Sequence, residues 1–177
     1  MNQQAISNAP KQNIILDTNI LFYLGDKFIK YELSRYLLVL NRMGFGLAIS
    51  KVSIVELLSG IPRINENGAI DKLNMFINYE IDHNVVIVTA QISTVYKNDK
   101  QVETGPIDIA DRIIASTAIL TGSLVMTADV NHFPRPYFVE KNEKIFSYKE
   151  KNNTKIRVIQ LLQPNSSLIY NAFSCRS

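Results

Sequence analysis

Short runs of uninterrupted apolar residues, spaced by longer stretches with helical periodicity, restrict what this chain can fold into. Ile14–Leu16 (in the strand Asn13–Leu16), Phe45–Ile49, Val85–Val88 and Leu124–Met126 are such runs, and Ile156–Leu162, broken by Arg157 and Gln160, is a plausible last strand. A strand exposed on one face alternates apolar and polar residues, whereas a parallel strand covered on both faces is apolar throughout. Between the runs, Ile20–Leu24 begins a helical pattern that Gly25 ends. Phe28–Met43 places Ile29, Leu33, Tyr36, Leu37 and Leu40 on one stripe and stops at Gly44. Ser50 or Ser53 can cap a helix through Leu58 that closes at Gly60-Ile-Pro62. Asn65–Tyr79 reads as a further helix, Thr89 as the cap of another through Ile92, Val95 and Tyr96, and Asp108 as the start of a long one ending at Gly122. Strands alternating with helices predict an α/β three-layer sandwich, with a mostly parallel central sheet of about five strands flanked by helices.

The chain has 177 residues, enough for one domain with a sizeable core. The expected organisation is a flexible tail over 1–12, one domain over 13–163 and a polar C-terminal tail over 164–177. Residues 140–155 hold five lysines and three glutamates and read as a solvated loop or hairpin. The lone cysteine, Cys175, offers no internal disulfide. The first ten residues have neither a basic start nor an apolar run, no apolar stretch approaches membrane-spanning length, and the cytoplasm is the expected compartment. A formal net charge of +3 does not announce a nucleic-acid partner, but it presents a polyanion with no global repulsion.

Four acids punctuate this pattern. Asp17 follows the first strand and Asp129 comes just after Leu124–Met126; Glu56 and Asp111 fall near the N-terminal turns of helices. In open α/β sheets, ligands bind beyond the carboxyl ends of the strands. Helix N-termini there favour negative charge. Carboxylates gathered at one place repel one another, and a divalent cation is the usual reason to tolerate that. One or two Mg²⁺ ions held by carboxylates can activate water and stabilise charge in phosphodiester hydrolysis. His83 and His132 lie far apart and the thiol is terminal, which argues against a soft-metal site. No Walker-type phosphate loop, dinucleotide-binding glycine pattern or nucleophile-elbow serine is present. Asp17-Thr18-Asn19 also lacks the second aspartate that aspartate-nucleophile phosphatases require.

The residues around these acids resemble the four motifs of PIN-domain ribonucleases, in particular the VapC-like toxins of bacterial toxin–antitoxin pairs. They are Asn13–Leu21, Val52–Gly60, Asp111–Ala118 and Leu124–Phe133, in the family's order. The resemblance implies a PIN-like fold and an Mg²⁺-dependent endoribonuclease, with Mn²⁺ able to substitute. It assigns Asp17, Asp111 and Asp129 to the metal, and Glu56 to the metal or the attacking water. Thr18, Asn19 and Thr127 would orient the carboxylates. Asp108 is a helix cap or an additional acid, and Asn131 and His132 would line the rim. The implied partners are RNA, a cognate antitoxin and a second copy in a homodimer, with no membrane. The alternative is a PIN-fold RNA- or protein-binding module that does not cut.

Overall fold

The computed structural model describes residues 12–60, 66–100, 102, 107–151 and 153–174. Its six-stranded sheet has the order β3-β2-β1-β4-β6-β5. The strands β1 (Gln12–Leu16), β2 (Phe45–Ser50), β3 (Ile77–Tyr79) and β4 (Leu124–Thr127) run parallel. The last two, β5 (Phe138–Glu150) and β6 (Asn153–Pro164), form an antiparallel hairpin that joins the sheet through β6 against β4.

Side-chain alternation in these strands feeds two cores, one on each face. Ile15, Ala48, Val125 and Leu162 point to one side, where α5 (His83–Asn98), α6 (Ile109–Thr121) and α7 (Ser166–Ser174) supply Ile92, Val95, Ile114, Ala118 and Ile169. Ile14, Leu16, Ile49, Met126 and Leu161 point to the other, where α1 (Thr18–Gly25) and α2 (Lys30–Arg42) supply Ile20, Leu33, Leu37 and Leu40. Burial on both faces is why the parallel strands carry no polar alternation. Two further helices, α3 (Lys51–Ser59) and α4 (Glu66–Leu73), lead from β2 to β3.

Several elements differ from the sequence expectation. Val85–Val88 is not a strand; it lies in α5, which starts earlier than a Thr89 cap would allow. Asp82 caps that helix by accepting from the Val85 amide, and Val85, Val88, Thr89, Ile92, Val95 and Tyr96 form its buried stripe at helical spacing. The third strand is instead Ile77–Tyr79, inside the segment read as continuous helix. The lysine-rich stretch, read as a solvated loop or hairpin, is the hairpin, carrying most of β5 and the start of β6, and the sheet has six strands rather than about five. The expected polar tail contains α7, whose Ile169 is buried against the helices of its layer. The tail expected over 1–12 lies outside the described residues except for Gln12, which opens β1. No described helix is long and apolar enough to cross a membrane.

Candidate active site

The chain builds β1, β2 and β3 outward in one direction, then places β4 on the other side of β1. That reversal leaves a crevice at the carboxyl ends of β1 and β4. Asp17 and Asp129 stand there because each immediately follows one of those strands or the residue after it.

Asp17 is 2% exposed and caps α1. Its backbone amide donates to the Met126 carbonyl at 3.0 Å, stitching it to β4. Its carboxylate accepts from the Thr18 amide at 2.6 Å, from Asn19 Nδ2 at 2.5 Å and from the Thr127 hydroxyl at 2.6 Å. Asn19 is itself fixed, because its Oδ1 accepts from the Ala128 amide at 3.1 Å. The Thr127 hydroxyl also accepts from the Asp129 amide at 2.9 Å, tying the turn after β4 to Asp17. Burial pushes the Asp17 carboxyl above its ordinary pKa; the hydrogen bonds from Thr127 and Thr18 oppose that rise, and Glu56 adds to it.

Glu56 comes from the second turn of α3, which Ser50 caps. The Thr18 hydroxyl donates to Glu56 Oε2 at 2.5 Å, so Thr18 joins the α3 acid to Asp17. Ser53, one turn earlier, is fully buried and its hydroxyl has no partner among the described residues. Asp111 lies in the first turn of α6, which Asp108 caps by accepting from the Ala110 amide at 3.4 Å. Asp108 is exposed and caps the helix, and its charge also acts on Asp111. Burial pushes the Asp111 carboxyl up to about 6, and the charges of Asp17 and Glu56 push the same way against the opposing pull of His132.

His132 bridges the last two acids. Its Nδ1 lies 3.0 Å from Asp111 Oδ2 and its Nε2 3.6 Å from Asp129 Oδ2. The 3-10 turn Val130–His132, capped by the Asp129 side chain on the Asn131 amide, sets this position. Asp17, Glu56 and Asp111 therefore act on one another electrostatically, and Asp129 connects to Asp111 through the imidazole.

Among the described residues, no three ionisable side chains are closed into a ready-made metal cage. Mg²⁺ does not require one: it commonly takes one or two carboxylates and keeps waters for the remaining positions. The hard-oxygen donors, and two carboxyls held above their ordinary pKa, suit such a cation and disfavour a soft one.

Comparison with known proteins agrees with this architecture. No protein with a curated description matches the chain by sequence. Among solved structures, a toxin–antitoxin complex from Klebsiella pneumoniae is 22% identical with a TM-score of 0.54, over 70% of this chain and 92% of that one. VapBC2 from Rickettsia felis, bound to a DNA fragment from the VapBC2 promoter, is 19% identical with a TM-score of 0.57, over 69% and 91%. FitAcB from Neisseria gonorrhoeae is 23% identical with a TM-score of 0.54, over 68% and 91%. At these identities the likeness is one of fold. The PIN domain matches residues 14–139, a span that contains all four acids together with Thr18, Asn19 and Thr127, and the chain belongs to the PIN-domain family.

Proposed function

We propose that this protein is an Mg²⁺-dependent endoribonuclease and the toxin of a toxin–antitoxin pair. The observation that carries the reading is the Asp17 carboxylate: buried, held by three hydrogen bonds, and gathered with Glu56 and Asp111, with His132 the one imidazole that acts against their charge. A structure without a ligand for it has no reason to concentrate that much negative charge at the switch point of the sheet. PIN domains are generally nucleases, and the solved structures of similar fold are toxin–antitoxin complexes, which supports the cognate antitoxin as partner. A homodimer acting in the cytoplasm belongs to the same reading.

In this scheme Asp17 and Asp111 would hold the metal, with Asp129 completing the pocket directly or through water. When bound, the metal supplies Lewis-acid polarisation of the phosphate and lowers the pKa of water. Asn19 and Thr127 keep the Asp17 carboxylate from turning away, and Thr18 holds Glu56 at the edge of the pocket, where it orients the attacking water. The products would carry a 5′-phosphate and a 3′-hydroxyl. The test is incubation of labelled RNA with protein and Mg²⁺, beside EDTA and beside Asp17→Asn. The expected result is no cleavage in EDTA and a loss of ~10²-fold or more in the variant. Cleavage that survives either treatment rejects the mechanism.

A further inference from the structure

The hairpin reaches past the sheet on the same side as the acids. Gln160 of β6 pairs with Thr127, the last residue of β4. Because β6 is antiparallel to β4, everything from Ile159 back to Asn153, with its β5 partners, extends beyond the carboxyl ends of the parallel strands. At about 3.3 Å per residue this arm projects roughly 20 Å past the site.

The arm holds the charge surplus of the molecule. Residues 138–164 contain six lysines and arginines against three glutamates, a surplus of three, and the whole chain carries +3. The remainder of the chain is therefore electrically balanced. Lys144, Lys149, Lys151, Lys155 and Arg157 are all exposed, and none makes an ion pair with a described residue. Residues directly opposite in an antiparallel ladder share a face. Lys144 lies opposite Ile159, Arg157 opposite Phe146 and Lys155 opposite Tyr148, so these three cations share the face that packs on α1 and α2.

That face is anchored and aromatic. Tyr148 stacks on Phe28 with ring centroids 5.3 Å apart, and Phe146 meets Tyr36 edge-on at 6.1 Å. The Arg157 guanidinium lies 5.7 Å from the Tyr23 ring, Lys27 lies over Phe28 at 4.8 Å, and Lys30 over Tyr31 at 4.9 Å. Tyr31 is 73% exposed. Cations beside partly exposed aromatic rings, with Tyr31 open to solvent, suit unpaired nucleotides, whose phosphates and bases need both.

We infer that the β5–β6 arm and the α1–α2 corner beneath it form a docking track for single-stranded RNA, which holds the strand while the scissile bond enters the acidic crevice. The inference rests on the nuclease reading and supplies what the crevice lacks. Asp17, Glu56 and Asp111 repel a polyanion, so affinity has to come from another surface. The matched PIN span ends at Val139, so nearly all of the arm lies beyond it.

The experiment measures equilibrium binding of a labelled single-stranded RNA of about 15 nucleotides to the full chain in EDTA, where cleavage is not involved. The comparison is the triple variant Lys144→Ala, Lys155→Ala, Arg157→Ala, all exposed positions on that face. The expected loss is at least ~10-fold in affinity at moderate salt. The slope of log affinity against log salt should fall by roughly two, about 0.7 per phosphate contact. The charge-conserving triple Lys144→Arg, Lys155→Arg, Arg157→Lys should bind like the unaltered chain. Asp17→Asn should bind as tightly or more tightly, so a failure of the nuclease reading and a failure of this one show up in different measurements. Unchanged RNA affinity in the Ala triple overturns the inference. So does an altered sedimentation state with RNA affinity intact, which would make the arm a contact between copies.

Discussion

At Asp111 the carboxyl has lost water without gaining enough hydrogen bonds to compensate. Its pKa is pushed up to about 6 from an ordinary 3.8, by burial first and then by Asp17 and Glu56. The folded chain therefore keeps a proton that the unfolded chain releases, and stability falls as pH rises from about 4 through about 6. Without metal, Asp111→Asn should be more stable than the unaltered chain at pH 7 by on the order of 1 kcal/mol, the lost contact with His132 and solvent screening offsetting part of the shift. The gain should vanish near pH 4. Urea unfolding in EDTA at the two pH values reads this out, and a variant that is less stable at pH 7 would show that the carboxylate is satisfied by the fold alone. The positions of the four acids were legible in sequence because each stands at a strand end or in the opening turns of a helix. The bridge made by His132 was not. It depends on the 3-10 turn that swings the imidazole back between Asp111 and Asp129, and three residues after an acid carry no signal for such a turn. Ser53 is a similar case: a serine in a first turn reads as a capping candidate, yet Ser50 holds the cap and Ser53 is buried without a partner among the described residues.

At the scale of elements, the parallel strands β1, β2 and β4 were readable because burial on both faces leaves an uninterrupted apolar run. The same rule misplaced the third strand. Val85–Val88 is such a run, but Val86 and Ile87 are 55% and 43% exposed and only the 85/88/89/92 spacing is buried. A four-residue apolar run does not separate strand from helix; the longer periodicity and the Asp82 cap do. The true β3, three residues of an edge strand after a short helix, is too brief to announce itself. Its partner β2 carries a tighter constraint. A Cβ on Gly46 would overlap Asn13 Oδ1 and come 3.1 Å from Ile77 Cδ1. Asn13 has little room to yield, since its Nδ2 donates to Tyr79 OH at 2.6 Å across the sheet. Gly46→Ala should therefore destabilise the chain by about 1–3 kcal/mol, the range of an overpacked interior site. Asn13→Ala in the same background should recover part of the loss, because it removes the obstructing oxygen. Additive losses in the double variant would mean that the strain lies elsewhere.

For the molecule as a whole, the C-terminal residues decide whether the third layer is closed. Read as sequence, residues 164–177 are polar enough to pass for a tail. In the structure Ile169 is 1% exposed, and Leu168, Ala172 and Phe173 pack against the cluster that also contains Val95, Ile92 and Phe138. The chain reaches this position directly from β6: the Asn165 amide donates to the Tyr137 carbonyl at 2.8 Å, and the Asn165 side chain accepts from the Leu168 amide at 3.3 Å as α7 begins. Helix α7 therefore covers the same layer that presents Asp111 to the crevice through α6. Ile169→Ala should cost about 2–4 kcal/mol in urea unfolding, the range for emptying a fully buried aliphatic site. Its denaturant slope should be unchanged if the rest of the layer holds together. Lys51→Ala serves as the control: its partner Glu80 is at 2.6 Å but both side chains are exposed, so the loss there should be under about 1 kcal/mol. If the two substitutions proved equally mild, α7 would be resting on the domain without holding it, and the layer containing Asp111 would have to be stabilised by α5 and α6 alone.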